Sequence, residues 1–233
     1  MTRFFVAAGL LLSVGAQAAT PYQEKIKCPL GGEEFEVTRT ASMSTFGQRL
    51  DGKPRTSWIA PFPLEICPNG FIIFEEPDSF TKERLERIAP IITDSAYKEV
   101  LAEEPNYAAL AYLLERLGEP AENVAYAVLK ASWQVDDDGA AYMRYQRRYL
   151  AAAKSLLATK GKAWDPYPPM SAWLVNAYRV TGDFDGAAKT LAGVDLSAQD
   201  PKRREDWQPA FDELRRLVAA RDARIDPSER GRQ

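Results

Sequence analysis

The stretch LVNAYRVTGDFDGAAKTL, residues 174–191, decides the fold. Leu174, Tyr178 and Gly182 stand four apart. That spacing stacks side chains on one face of a helix, and a glycine at its end is a stop signal. Asp183-Phe184-Asp185, Ala187 and Leu191 follow on a second helix. The reading is helix, tight turn, helix. Working outward, Leu110, Leu114 and Gly118 repeat the spacing. A looser middle unit has Leu129 and Trp133, then a turn over Asp136-Asp137-Asp138-Gly139, then Tyr149, Leu150, Ala153 and Leu157. The array is irregular, because Leu129 and Leu174 lie 45 residues apart.

This pattern resembles the tetratricopeptide repeat, a helix-turn-helix of about 34 residues. The resemblance implies a stack whose first helices line a concave groove. Positions two and five beyond each repeat leucine then face a partner. They are Tyr112 and Glu115, Ala131 and Gln134, and Asn176 and Arg179. A generic helical bundle is the other reading, and it shares the same core.

The helical part spans residues 79–222. Asp78 or Ser79 is expected to cap a first helix carrying Leu85 and Ile88, which Pro90 limits or kinks. Tyr97 and Leu101 belong to a second helix, and Pro105 sits at a helix start. Trp164 to Pro169 reads as a stiff linker. A last helix, about Arg204 to Arg221, places Phe211, Leu214, Leu217 and Val218 on one face and caps the stack. Residues 223–233 read as a disordered tail. The run Asp136 to Gly139 lacks the alternating ligand spacing of a calcium loop and reads as a turn with capping carboxylates.

The chain begins like an exported protein. Arg3 is followed by an uncharged apolar run, Phe4 to Val14, and then by Ala16-Gln17-Ala18. This is the layout of a secretory signal peptide over residues 1–18, with cleavage near Ala18-Ala19. The run is shorter than the roughly 20 residues that span a bilayer. No later segment reads as transmembrane. A periplasmic or secreted location follows.

Formal net charge is −3, and −4 once Arg3 leaves with the signal. A mildly acidic chain without a dense basic patch is a poor partner for nucleic acid. There is no histidine. That removes Ser-His-Asp and Cys-His catalysis and histidine metal ligands. Carboxylate chemistry needs two acids converging in a cleft, and no pair in the sequence favours it.

Residues 19–78 form a small module holding the two cysteines. Cys28-Pro29-Leu30-Gly31-Gly32 and Cys67-Pro68-Asn69-Gly70-Phe71 echo each other. Zinc knuckles read Cys-Pro-x-Cys-Gly, and two of them complete a tetrahedral site. Here the second cysteine of each is a glycine, Gly31 or Gly70. Glu33 to Thr40 alternates like a strand, Asp51-Gly52 is a turn, and Phe62 to Ile66 and Phe71 to Phe74 read as strands. A single antiparallel sheet of about three strands is expected.

The matching pieces Ile26 to Pro29, Phe35 to Val37, Phe46 to Asp51 and Cys67 to Phe71, with the helical stretch Tyr107 to Trp133, resemble a bacterial family of uncharacterised proteins. Its members join a two-knuckle Cys-x-x-Cys module, like a zinc ribbon, to tetratricopeptide-like helices. The resemblance implies a structural zinc there. With both second cysteines lost, no zinc or other cofactor is carried over. Knuckles sharing one metal hold their leading cysteines close. In an oxidising compartment the surviving pair, Cys28 and Cys67, is expected to form a disulfide. Two unpaired thiols are the alternative. Redox catalysis lacks a resolving Cys-x-x-Cys partner.

The expected class is mainly α, tetratricopeptide-like helices after a small β-rich disulfide-linked module. The expected role is a non-catalytic scaffold or adaptor of the cell envelope that binds a protein or peptide in the helical groove. A histidine-independent carboxylate hydrolase and a structural subunit of a larger envelope complex are the alternatives.

Overall fold

A computed structural model describes residues 20–228. The expected export signal and residues 229–233 lie outside the described residues.

The chain opens with strands β1 (Pro21–Lys27) and β2 (Glu34–Thr40), which pair antiparallel from Pro21 opposite Thr40 to Lys27 opposite Glu34. Strands β3 (Thr45–Gln48) and β4 (Pro54–Thr56) form a second hairpin. Strands β5 (Glu65–Ile66) and β6 (Ile72–Ile73) form a third. The module therefore holds three two-stranded sheets, not the single sheet expected. The Asp51-Gly52 turn does close a hairpin. That hairpin docks on the helices, however, and does not extend the β1–β2 sheet. Its anchors are ionic and lie far along the chain.

Cys28 and Cys67 are joined by a disulfide, with Cα atoms 5.7 Å apart. Both sulfurs are buried. The bond ties the turn after β1 to the turn between β5 and β6. Around it the rings of Phe71 and Phe80 meet edge-on at 5.2 Å. This cluster is continuous with the helical core through Ile88, Tyr97 and Leu113. The module and the helices thus share one interior. Tyr97 fastens them further by donating its hydroxyl to the Gly70 carbonyl at 2.8 Å.

Eight α-helices follow among the described residues: α1 (Lys82–Thr93), α2 (Ser95–Glu103), α3 (Asn106–Leu117), α4 (Ala121–Gln134), α5 (Gly139–Lys160), α6 (Tyr167–Val180), α7 (Phe184–Gly193) and α8 (Pro201–Ala219). Thr81, not Asp78 or Ser79, caps α1 by accepting from the Arg84 amide. The two earlier residues lie in a short 3₁₀ turn over Pro77–Ser79. The helix runs through Pro90 to Thr93 and buries Ile88 and Ile92. Pro105 precedes α3, and Gly118 ends it in the left-handed conformation at φ 70°. Asp138 caps α5 by accepting from the Ala140 and Ala141 amides at 2.9 and 3.1 Å.

The stretch quoted first is α6, a turn at Gly182, and α7, with Asp183 capping the second helix from the Gly186 amide. The expected linker at Trp164 to Pro169 is shorter, because α6 already starts at Tyr167. Pro168 and Pro169 fit its first turn, where amide donors have no helical partner. A second apolar cluster joins Val175, Ala187 and Leu191 to Phe211, Leu214 and Val218 of α8. The last helix therefore packs over α6 and α7.

The tail differs from expectation over residues 223–228. Arg55 bonds both Asp226 and the Ser228 hydroxyl, the latter at 2.8 Å. The carbonyl of Arg224 accepts from Arg179 at 2.9 Å. These ties hold the segment against β4 and α6. No helix of the described residues is long and apolar enough to cross a membrane.

Candidate functional site

Two regions compete for the role of site: the face assigned by repeat phase, and a groove in the β-module.

The phase-assigned residues do not form one surface. Asn176 and Arg179 are fully buried, which corrects their expected exposure. Arg179 donates to Asn176 Oδ1 and to the carbonyls of Asp222 and Arg224. Its guanidinium satisfies the backbone of the returning tail. Burial lowers its pKa, against the raising effect of Asp222. Ala131 is buried as well. Gln134 accepts from the Tyr107 amide at 2.9 Å and so caps α3. Tyr112 packs against Tyr97 of α2, ring to ring at 6.2 Å. Glu115 is exposed and pairs with Arg148 of α5 at 3.0 Å.

The chain's own hairpin covers the face near α6. Gly52, at φ 83°, lies so close to Trp173 that a Cβ there would fall 2.7 Å from the indole. Beside it Asp51 is 1 % exposed. Its carboxylate accepts from Arg49 Nε and the Lys53 amide, each at 3.1 Å, and from the Tyr142 hydroxyl at 3.1 Å. Burial pushes the Tyr142 hydroxyl pKa well up, and the Asp51 charge adds to it. Arg49 also pairs with Asp136. Lys53 reaches Asp136 at 2.7 Å and the Trp133 carbonyl at 2.9 Å. Burial alone would lower the Arg49 pKa, but the bond to Asp51 outweighs it and the net shift is upward. Each charge in this cluster already has a partner, and the arrangement locks the hairpin to α4, α5 and α6.

The groove is different. It has a volume of about 780 Å³ and runs along β2 from Phe35 to Thr40. Its opposite wall is the segment from Trp58 to Ile66, including Ile59, Phe62 and Leu64. No residue of β1 lines it. Ile59 is 60 % exposed and Phe62 49 %, so two large apolar side chains face water beside the groove. Tyr107 holds the wall by donating its hydroxyl to the Phe62 carbonyl at 3.0 Å. Burial, and then Tyr126, pushes that hydroxyl up to about 12, which keeps it a donor. Arg39 donates to Glu65 at 2.9 Å and pairs with Glu24 at 3.1 Å, bridging the two walls.

The register shows which way the edge of β2 points. Outside the strand ends, the Ala41 amide donates to Thr20 and the Cys28 amide to Glu33. These pairs continue the β1–β2 register, and bonded pairs alternate in an antiparallel ladder. The backbone groups of Phe35, Val37 and Arg39 therefore face β1. Those of Glu34, Glu36 and Thr38 face outward, and β2 has no other strand partner among the described residues. The outward side chains on that strand are Glu34, Glu36 and Thr38.

The carboxylates with shifted ionisation, Asp195, Asp222 and Asp226, are all lowered. A general acid requires the opposite shift. No group of His, Cys, Asp and Glu among the described residues is arranged to hold a metal ion. No known protein family, curated protein or solved structure matches this chain.

The groove was not read from the sequence. Its only signals there are Pro61 and Pro63 beside the large apolar Ile59 and Phe62; the strand expected over Phe62 to Ile66 is confined to Glu65–Ile66, and the residues before it form the groove wall instead.

Proposed function

We propose that this protein is an extracytoplasmic, non-catalytic interaction module that captures an extended segment of a partner protein as an added strand on β2. The observation that carries the reading is the outward row of backbone groups at Glu36 and Thr38 along an apolar groove. Main-chain hydrogen bonds to such an edge supply affinity, and pockets for alternate side chains supply selectivity. A long unpaired edge is otherwise a site of unwanted association. Ile59, Phe62 and Leu64 favour apolar side chains on one face of the incoming strand. Glu34 and Glu36 favour basic side chains on the other. The partner segment therefore alternates apolar and basic residues. The disulfide fits an oxidising compartment, in keeping with export.

The test places a photo-crosslinking residue at Thr38 and reads the captured peptides by mass spectrometry from the cell envelope. One dominant partner is expected, with crosslinks in an extended alternating segment. With the crosslinker kept at Thr38, Glu36→Pro removes an outward amide that no strand uses and should abolish capture while leaving the melting temperature nearly unchanged. Undiminished capture by that variant would refute strand addition.

A further inference from the structure

A second cleft, between α5, α6 and α7, combines features that the groove lacks. Its volume of about 440 Å³ lies in the range of small-molecule sites. Leu157, Leu174 and Val194 supply apolar surface. Lys154, Lys162 and Lys189 stand around it, and no acidic residue lines it. Lys162 reaches Asp195 at the rim, 3.1 Å away. Lys154 and Lys189 have no hydrogen bond or ion pair among the described residues. Within the cleft Ser171 is only 2 % exposed, yet its hydroxyl has no hydrogen-bond partner among the described residues. The hydroxyl opens on the cleft, where it is free to bond a molecule held there.

An apolar floor alone would take an alkyl chain, and three cations alone would take any anion. Both in one cleft select a molecule that has both. We propose that this cleft binds an amphipathic anion, an alkyl chain ending in a carboxylate. The carboxylate lies among Lys154, Lys162 and Lys189, with the Ser171 hydroxyl available as a donor. The chain lies along Leu157, Leu174 and Val194. The three ammonium groups raise the local concentration of anions at the cleft. The cleft shares no residue with the β2 groove, so this site stands or falls independently of the partner-binding reading.

The experiment titrates the full mature protein with palmitate, below the concentration at which it forms micelles, and follows binding by calorimetry. Hexadecanol tests the chain without the charge, and inorganic phosphate tests the charge without the chain. Palmitate is expected to bind with one-to-one stoichiometry and to outcompete both. The double variant Lys154→Glu, Lys189→Glu changes only exposed side chains without partners and should raise the palmitate Kd by about ten-fold or more. Leu157→Asp, on the half-buried floor, should weaken palmitate without weakening phosphate. Absence of palmitate binding, unchanged affinity in the lysine variant, or equal affinity for hexadecanol or phosphate would each overturn the proposal.

Discussion

The Tyr142 hydroxyl donates to Asp51 at 3.1 Å, joining the tip of a β-hairpin to the first turns of α5 across 91 residues of sequence. The same carboxylate holds the largely buried Arg49, which Asp136 also holds. Replacing Asp51 by alanine removes one of the two carboxylates on that cation, together with the acceptor for Tyr142. Losing a hydrogen bond to a charged group costs about 1.5–3 kcal/mol. Tyr142→Phe removes one hydrogen bond and should cost about 1 kcal/mol. Urea unfolding of both single variants and the double variant measures these values and their coupling. A cost for Asp51→Ala no larger than that of Tyr142→Phe would mean the ion pair does not anchor the hairpin.

Gly52→Ala tests the close approach to Trp173. The substitution forces a Cβ to 2.7 Å from the ring and sets an alanine at φ 83°. Overpacking alone costs about 1–3 kcal/mol, and the left-handed backbone adds to it. The melting temperature should fall by several degrees, with changed tryptophan fluorescence. A variant as stable as the parent would show that the hairpin does not sit against the indole.

The disulfide closes a loop of 39 residues. Loop-entropy arithmetic for that length puts its contribution at about 4 kcal/mol. Cys28→Ser with Cys67→Ser should lower stability by up to that amount, and the loss should fall first on β5 and β6 in hydrogen exchange. Intact mass of exported protein after alkylation should show no thiol until a reductant is added.

Acid should loosen the tail. The hydrogen bond from Arg224, ahead of the opposing effect of burial, holds the Asp222 carboxyl down at about 2. An unfolded aspartate titrates near about 3.9. Because the folded value is the lower one, the contribution is full above about pH 4 and is lost as pH falls through about 2. The difference in melting temperature between the parent and Asp222→Asn should therefore shrink over that window. A difference that stays constant would place the Asp222 contact outside the folding equilibrium.

Much of the helical half was legible. Leu174, Tyr178, Gly182, Asp183 and Ala187 gave the α6–α7 hairpin, and Phe211, Leu214, Leu217 and Val218 gave the buried face of α8. The pairing of Cys28 with Cys67 was also within reach, through the echo of the two knuckles. The groove assignment failed at Asn176 and Arg179, which are buried. Phase says which way a side chain points from its own helix. It does not say what lies across from it.

Helix spacing, caps and turn glycines are local properties, set by contacts within a few residues, and the sequence alone determined them. What covers the helical face is a different kind of question. Arg49 meets Asp136 across 87 residues, and Arg179 meets the Arg224 carbonyl across 45. No periodicity links such positions, and an isolated arginine or aspartate reads as a solvated charge. Only the tertiary structure could decide that these charges are buried together, that the hairpin fills the helical face, and that the outer edge of β2 stays unpaired among the described residues. Burial and pairing of charge depend on which distant segments arrive at the same place.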